Sequence, residues 1–491
     1  MLAKIFCFSL FGLDAFPIII EADIADGLPS FTIVGLPDNA VKESRERVRS
    51  AILNSGYEFP QGRITINLSP ADTKKEGPCF DLPIALSILS ASGLFNHHLL
   101  SSFAFLGELS LDGSIMGISG ALSYALSADP QQCKGLFLPK INAQEAAMAD
   151  NVPVFPVTNL KEVIAALSDP STLTPLKAKP CIDTRTRTSS IMDFNDVKGQ
   201  AHVKRGLEIA AAGGHNVILI GPPGSGKTML AKRMIGILPE ITKTEALEVT
   251  QIYSIAGLLK GIALMNSRPF RNPHHTASDI ALIGGGPNPR PGEVSLAHHG
   301  ILFLDETPEF DRHTLEVLRQ PLEDHEVVIA RAMRTITFPS KFMLVAAMNP
   351  CPCGWRLGGR KPCRCSGLEV SRYMNKISGP LLDRIDLHIE VNAVKSDDLF
   401  SNACGETSAA IKKRTTKVRE RQSTYAKEDY RVDNEGQNLL KMATDRLGLS
   451  GRAHEKIIKV ARTIADLADR PTIEPAHIAE AIGYRALDKI L

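Results

Sequence analysis

Apolar residues fall into two rhythms along this chain. Short unbroken runs, Asn216-Val217-Ile218-Leu219-Ile220, Gly300-Ile301-Leu302-Phe303-Leu304 and Phe342-Met343-Leu344-Val345-Ala346-Ala347-Met348, have the length and composition of strands buried on both faces, so they predict a parallel sheet. The stretch Ala453-His454-Glu455-Lys456-Ile457-Ile458-Lys459-Val460-Ala461-Arg462-Thr463-Ile464-Ala465-Asp466-Leu467 repeats at helical spacing instead and predicts an α-helical region near the end. Residues 1–169 alternate short strands and helices, punctuated at Gly27-Leu28-Pro29 and Gly35-Leu36-Pro37-Asp38. The apolar start, Met1 to Leu10, reads as a strand, because Asp14 interrupts it early and no small-residue cleavage site follows. Residues 170–190 are rich in Pro, Ser, Thr, Lys and Arg and read as a linker. The expected organisation is an amino-terminal domain (1–169), this linker, a nucleotide-binding α/β core (191–394) and a small α-helical lid (395–491).

Polar residues at the ends of the three strands carry the chemistry. The first run passes into Gly221-Pro222-Pro223-Gly224-Ser225-Gly226-Lys227-Thr228 and then a helical pattern, the order a nucleoside-triphosphate site requires. Glycines let backbone N–H groups close around phosphate oxygens, Lys227 reaches the β- and γ-phosphates, and the Thr228 hydroxyl holds magnesium. The second run ends in Asp305-Glu306, which places Asp305 for the magnesium shell and Glu306 for polarising the attacking water. The third ends at Asn349, whose amide suits orienting that water. In Ser378-Gly379-Pro380-Leu381-Leu382-Asp383-Arg384, Arg384 falls in a turn after the third strand, available to a neighbouring subunit's γ-phosphate. Such a finger contributes roughly 10³ to 10⁵ in rate. Arg452, at the head of the lid helix, offers a second guanidinium to the same nucleotide; an ordinary surface arginine is the alternative for each.

Composition narrows the class. Of 491 residues, 44% are apolar and 22% charged, as in a globular chain rather than a disordered one, and no uninterrupted apolar run approaches the ~20 residues of a spanning helix. The net charge of +2 argues for no polyanion by itself, so any polyanion binding must come from local patches. One candidate patch is residues 326–338, a hairpin pattern that resembles the pore hairpins of ring-forming motors, where Arg331 and Arg334 would grip phosphates without reading sequence; a solvated edge hairpin that merely carries charge is the alternative. Glycine-rich residues 253–291 suggest a second mobile insertion. Nine cysteines, an odd number with four clustered, fit a reducing, cytoplasmic setting. Cys351-Pro352-Cys353 and Cys363-Arg364-Cys365 are two C-x-C pairs able to offer four thiolates to Zn²⁺, against the alternative of four free thiols. His274-His275 and His298-His299 are adjacent pairs able in principle to bind metal, but expected to point to opposite faces and so to serve structural or inter-subunit roles.

Several longer strings carry a family resemblance. They are Leu28-Pro29-Ser30-Phe31-Thr32-Ile33-Val34-Gly35-Leu36-Pro37, Glu43-Ser44-Arg45-Glu46-Arg47-Val48-Arg49, Asn67-Leu68-Ser69-Pro70-Ala71-Asp72, Arg271-Asn272-Pro273-His274-His275-Thr276, Pro291-Gly292-Glu293-Val294-Ser295-Leu296-Ala297-His298, Asn349-Pro350-Cys351-Pro352-Cys353-Gly354 and Val460 to Leu467. Together with the order of the site motifs, they make the chain resemble, over nearly its whole length, the ComM/YifB family of magnesium-chelatase-like AAA+ ATPases, with the cysteine-rich insert inclining it to the ComM branch. The resemblance implies an AAA+ P-loop core with a helical lid, preceded by a Lon-protease-like α/β domain. It also implies a homo-hexameric ATP-driven DNA helicase that promotes branch migration in natural transformation, working with recombinase machinery and away from membranes. In the Lon-like domain a nucleophile is expected in Gly77-Pro78-Cys79, yet Leu122 stands where the dyad lysine belongs, so proteolysis is expected to be lost. The alternative activity is a chelatase-type remodelling subunit that binds no DNA.

Overall fold

In the computed structural model, the described residues are 2–95, 100–169, 171, 173–178, 192–259, 261–286, 289–330, 335–356, 361–394, 405–426, 430–447 and 449–485. They form two compact units. The first combines residues 1–183 with 243–266, and the second combines 184–242 with 267–491.

The first unit is built on a seven-stranded sheet in the order β3-β4-β2-β1-β5-β8-β9. Its strands are β1 (Leu2–Phe11), β2 (Asp14–Ala25), β3 (Ser30–Val34), β4 (Arg63–Ser69), β5 (Ala104–Phe105), β8 (Leu136–Pro139) and β9 (Val154–Val157), with a small hairpin of β6 (Glu108–Leu109) and β7 (Ile115–Met116) beside it. The opening apolar run is thus a strand, paired antiparallel to β2 from Leu2↔Asp23 to Phe11↔Asp14. Helix Asp81–Ala91 is buried along its whole length and packs on β1 and β2, so it carries apolar residues all round instead of one stripe. Helix Lys243–Ile255 completes this unit although it lies far along the chain: Gln251 Nε2 donates to the Leu13 carbonyl at 2.8 Å and Gly120 N–H to the Ser254 carbonyl at 3.3 Å.

The second unit holds a five-stranded parallel sheet, β11-β14-β17-β10-β18, formed by β10 (Val217–Ile220), β11 (Phe270–Arg271), β14 (Ile301–Leu304), β17 (Met343–Met348) and β18 (Leu387–Glu390). Two short ribbons, β12 (Gly284–Gly285) with β13 (Arg290–Pro291) and β15 (Glu326–Ala330) with β16 (Thr335–Pro339), stand outside it. Every residue of β10, β14 and β17 is buried, as their unbroken apolar composition predicts. Helices Ser408–Gln422, Asn434–Leu447, Gly451–Leu467 and Pro475–Gly483 form the helical part. In Gly451–Leu467 the buried Ala453, Ile457, Val460, Ala461 and Ile464 make one stripe, and Ser450 caps the start by accepting from Ala453 N–H at 3.2 Å. Ile457, Val460, Ala461 and Ile464 of that stripe share one apolar core with Leu207, Val217 and Ile389, while Arg414 pairs with Glu208 at 2.6 Å, so the helices are fastened to the sheet by packing and by charge. Among the described residues no helix is long and apolar enough to cross a membrane.

Candidate functional site

Strand β10 lies between the central strand β17 and the edge strand β18, and the turn that leaves its carboxyl end is the glycine-rich loop. Close approach dictates the first glycine: a Cβ on Gly221 would stand 2.1 Å from the Val391 carbonyl oxygen. Gly226, at φ 91°, turns the chain into helix Lys227–Arg233. Lys227 Nζ folds back into the loop, donating to the carbonyls of Gly221 (2.7 Å) and Pro222 (3.0 Å) and to Asn349 Oδ1 (3.2 Å). Burial pulls the lysine's pKa below its ordinary value, with Asp305 and Glu306 opposing the shift. A half-desolvated ammonium of this kind is what an incoming phosphate would relieve. The buried Ser225 hydroxyl, which has no protein partner, adds an unsatisfied polar atom to the same cradle. The loop therefore fits a polyphosphate.

The residues expected to hold magnesium meet at the end of β14. Thr228 Oγ1 donates to Asp305 Oδ2 at 2.7 Å, joining the two residues expected to share the ion, and Asp305 Oδ1 accepts from Glu306 N–H at 3.0 Å. This oxygen-only pair suits a hard divalent cation. Glu306 takes φ 49°, which swings its largely exposed carboxylate away from β14 and out into solvent. His275 Nδ1 lies 4.0 Å from that carboxylate, a neighbour that sequence spacing did not reveal. Gln200 was also missed: from φ 54° its amide donates to the Ser225 carbonyl (3.0 Å) and the Asn392 carbonyl (2.8 Å), lashing the phosphate loop to the chain beyond β18. Only its place directly before a helix, after Gly199, hints at this role.

Both arginines are found elsewhere. Arg384 follows the short helix Gly379–Leu382 and is buried, with Nη1 donating to the Pro380 carbonyl at 2.5 Å and Nη2 paired to Glu323 Oε1 at 2.6 Å. Arg452 Nη2 reaches the same oxygen at 3.1 Å. Glu323, on helix Arg319–Asp324, is held below the usual carboxylate range first by its bond to Arg384 and then by the charge of Arg452. The buried Nε of Arg384 has no partner, and the group borders an open cleft of about 600 Å³ lined by Asp279, Glu316, Arg319 and Glu323. Lys227 and Asn349 thus meet at one place and Arg384 and Arg452 at another.

The four cysteines also converge: their sulfurs all lie within 4.8 Å of one another, with Cys351–Cys353, Cys351–Cys363 and Cys353–Cys363 at 3.4, 3.7 and 3.6 Å. Thiolates bound tetrahedrally to zinc at about 2.3 Å stand about 3.8 Å apart, so the donor set and its spacing fit that ion. Arg331 and Arg334, assigned to DNA from the sequence, lie outside the described residues; the hairpin strands that flank them are present. The histidine pairs differ from expectation. The rings of His274 and His275 sit 4.1 Å apart and those of His298 and His299 4.0 Å, because neither pair belongs to a strand whose pleat would drive them to opposite faces.

At the protease-like turn of the first unit, Cys79 and Leu122 are both buried. Burial pushes the Cys79 thiol up to about 12, and Tyr124 Oη stands 3.8 Å from its sulfur. A thiol so firmly protonated is no nucleophile. Asp81, two residues on, is fully buried and receives Arg47 through Nε at 2.7 Å and Nη2 at 3.1 Å, the Ser44 hydroxyl, and Leu109 N–H at 3.3 Å. Ser44 and Arg47 belong to a string singled out for resemblance alone; the structure gives it a purpose, holding the amino end of helix Asp81–Ala91.

Three family descriptions match successive parts of the chain: "Subunit ChlI of Mg-chelatase" at residues 20–142, "Magnesium chelatase, subunit ChlI" at 193–399, and "Magnesium chelatase, subunit ChlI C-terminal" at 405–485. Competence protein ComM of Haemophilus influenzae is 43% identical over 100% of this chain and 98% of its own length. Protein YifB of Salmonella typhimurium is 44% identical over 98% of this chain and 96% of its own. The magnesium-chelatase 38 kDa subunit of Rhodobacter capsulatus is 25% identical over 33% of this chain and 52% of its own. Membership at this level carries ATP hydrolysis with magnesium, matching the loop and the acidic strand end, and the chain belongs to the ComM/YifB family of magnesium-chelatase-like AAA+ proteins.

Proposed function

We propose that the protein is a homo-hexameric, cytoplasmic AAA+ motor that uses ATP to translocate on DNA and drive branch migration during recombination of incoming DNA, alongside recombinase machinery. The observation that carries the ring is the division of the hydrolytic groups: Lys227, Thr228, Asp305, Glu306 and Asn349 gather at the phosphate loop, whereas Arg384 and Arg452 share Glu323. A second copy brings the two sets together. DNA as substrate is supported by full-length similarity to a protein named for competence.

Magnesium-bound ATP supplies the phosphoanhydride and the charge neutralisation its cleavage needs. Loop N–H groups and Lys227 bind the β- and γ-phosphates, Lys227 exchanging its carbonyl partners for phosphate oxygens. Thr228 and Asp305 hold the ion, Asn349 orients the attacking water, and Glu306 accepts its proton. Arg384 of the adjoining copy leaves Glu323 to meet the charge that develops on the γ-phosphoryl group, with Arg452 beside it. The β15–β16 hairpin, through Arg331 and Arg334, grips the DNA backbone. The four thiolates of Cys351, Cys353, Cys363 and Cys365 hold zinc.

The test is ATP turnover with and without single-stranded, duplex and four-way-junction DNA, joined to unwinding of the junction and to light scattering with a slowly hydrolysed ATP analogue. Hexamers whose turnover rises with DNA and which resolve the junction support the reading; a persistent monomer rejects the ring. Hexamers indifferent to every DNA favour a chelatase-type remodelling subunit, which the family descriptions also support.

A further inference from the structure

The four-cysteine loop is built into the wall of the ATP site. Cys351 lies two residues beyond Asn349, is fully buried, and belongs to the same apolar cluster as Ile220, Leu304 and Met348, the last strand residues before the phosphate loop, Asp305 and Asn349. Gly354 N–H donates to the Cys351 carbonyl at 2.9 Å, and Gly354 takes φ 81° while pressing on the phosphate loop: a Cβ there would fall 2.5 Å from Pro223 Cδ and 3.8 Å from Asn349 Cγ. The loop's other end is equally constrained. Cys365 directly precedes Ser366, whose hydroxyl accepts from Glu369 N–H while the Glu369 carboxylate accepts from Ser366 N–H, a reciprocal cap that starts helix Gly367–Met374. Tyr373 of that helix is buried, with its phenol near the Asn349 backbone. A few residues later the chain reaches helix Gly379–Leu382 and Arg384.

The described residues between β17 and helix Gly367–Met374 form no strand or helix, so a regular hydrogen-bond ladder does not hold them. We propose that zinc held by Cys351, Cys353, Cys363 and Cys365 braces the ATP site, fixing Asn349 and Pro223 at one end of the loop and the helix that leads to Arg384 at the other. The cysteines act as positioning residues. A cross-link across an otherwise unladdered loop restricts its conformations, and Asn349 must keep its amide aimed at a water molecule while Lys227 trades partners. This rests on the four-thiolate zinc reading above and is independent of the DNA reading.

The experiment uses the full chain, purified under reducing conditions. Zinc is measured with a chromogenic chelator after thiol modification, ATP turnover without DNA as kcat and KM, and nucleotide affinity with a fluorescent ADP analogue. Wild type is expected to carry one zinc per chain, and the double variant Cys363→Ser/Cys365→Ser none. In that variant kcat falls roughly 10- to 100-fold, the range for groups that orient a site from its outer shell. Nucleotide affinity is expected to stay nearly unchanged, since Lys227 and the loop remain. Wild type stripped of zinc by a chelator keeps every side chain and is expected to lose kcat in the same direction; it also decides the matter should the double variant fail to fold. Cobalt added to the zinc-free wild type should give a tetrahedral thiolate spectrum and restore kcat. A folded double variant with wild-type kcat, or zinc-stripped wild type with unchanged kcat, overturns the brace while leaving zinc binding intact. Wild-type protein that binds neither zinc nor cobalt overturns both.

Discussion

Two turns in this protein begin alike and end differently. Gly77-Pro78-Cys79-Phe80-Asp81 and Gly221-Pro222-Pro223-Gly224-Ser225-Gly226-Lys227-Thr228 each start Gly-Pro and each lead into a helix. In the first, every group able to do chemistry has been sealed: Cys79 is buried and protonated, and the Asp81 side chain is 0% exposed and tied to Arg47. The second keeps its lysine half-buried and its partners exchangeable. Lys227 is bonded to carbonyls that a phosphate can displace, and at the separate arginine site the buried Arg384 side chain is held by a Glu323 side chain that is 41% exposed. A buried carboxylate makes a permanent clamp; a half-exposed one makes a latch. What separates a structural turn from a working one here is therefore access, more than the list of residues.

The sharpest way to break this comparison is through Arg384. Replacing it with Ala should lower ATP turnover roughly 10³- to 10⁵-fold with little loss of thermal stability, because Glu323 keeps Arg452 as a partner. Lys227→Ala should be silent as well. Mixed rings of the two variants should regain part of the turnover, read by phosphate release, since some interfaces then pair an intact loop with an intact arginine. No recovery in demonstrably mixed rings would place Arg384 outside the neighbour's site.

Asp81 should show the opposite signature. Asp81→Ala strands the Arg47 guanidinium and is expected to destabilise the first unit by about 3–5 kcal/mol, visible as an earlier thermal transition. Turnover per folded molecule should hold. Loss of kcat with stability intact would make this turn a working site after all.

A third test sets the two units against each other through pH. Burial raises the Glu145 carboxyl from 4.5 to about 7 in the first unit, where it accepts from Asn142 Nδ2 at 3.1 Å and the Ser254 hydroxyl at 3.2 Å. Between those values the folded state keeps the proton and the unfolded state gives it up, so stability falls as pH rises from about 4.5 to 7. Burial lowers His215 of the second unit from 6.5 to about 4, so the unfolded state binds the extra proton and stability rises across that window. Glu145→Gln should flatten the first slope, worth up to about 3 kcal/mol, in urea titrations at pH 5 and 7.5. The second unit's transition, identified by its upward shift with ATP, should keep its slope.

These contrasts also mark how far the sequence could be read. Strands β10, β14 and β17 were legible because a strand buried on both faces must be apolar throughout, and the polar residue after each run announces the sheet edge where a ligand binds. Lys227, Thr228, Asp305 and Asn349 come together because parallel pairing brings those strand ends side by side. Hidden from view were contacts between residues far apart in sequence. Nothing in Lys243–Ile255 says that Ser254 bonds Glu145, so residues 243–266 read as part of the nucleotide core and not as the closing piece of the first unit. Asp81 and Arg47 are 34 residues apart and look like any surface charges until burial couples them. Glu323 is likewise invisible, since its meaning is the meeting of Arg384 and Arg452.

Glu323 supplies the finest test, and its sign separates a latch from a prop. As a latch, the carboxylate competes with the neighbour's γ-phosphate for both guanidinium groups, and its release is part of the barrier to ring closure. Glu323→Gln keeps the shape and one hydrogen-bond acceptor while removing the charge. Because the group is 41% exposed and screened by solvent, the effect should be small, about 1 kcal/mol or roughly fivefold. It should appear as a lower KM for ATP in assembled rings and a weaker dependence of turnover on salt, with kcat little changed. As a prop that presents Arg384 to the neighbour, the same carboxylate would be needed after assembly, and Glu323→Gln would lower kcat instead. A fall in kcat at unchanged KM would move Glu323 to the permanent kind of clamp that Asp81 exemplifies, and the contrast between the two turns would then rest on Lys227 alone.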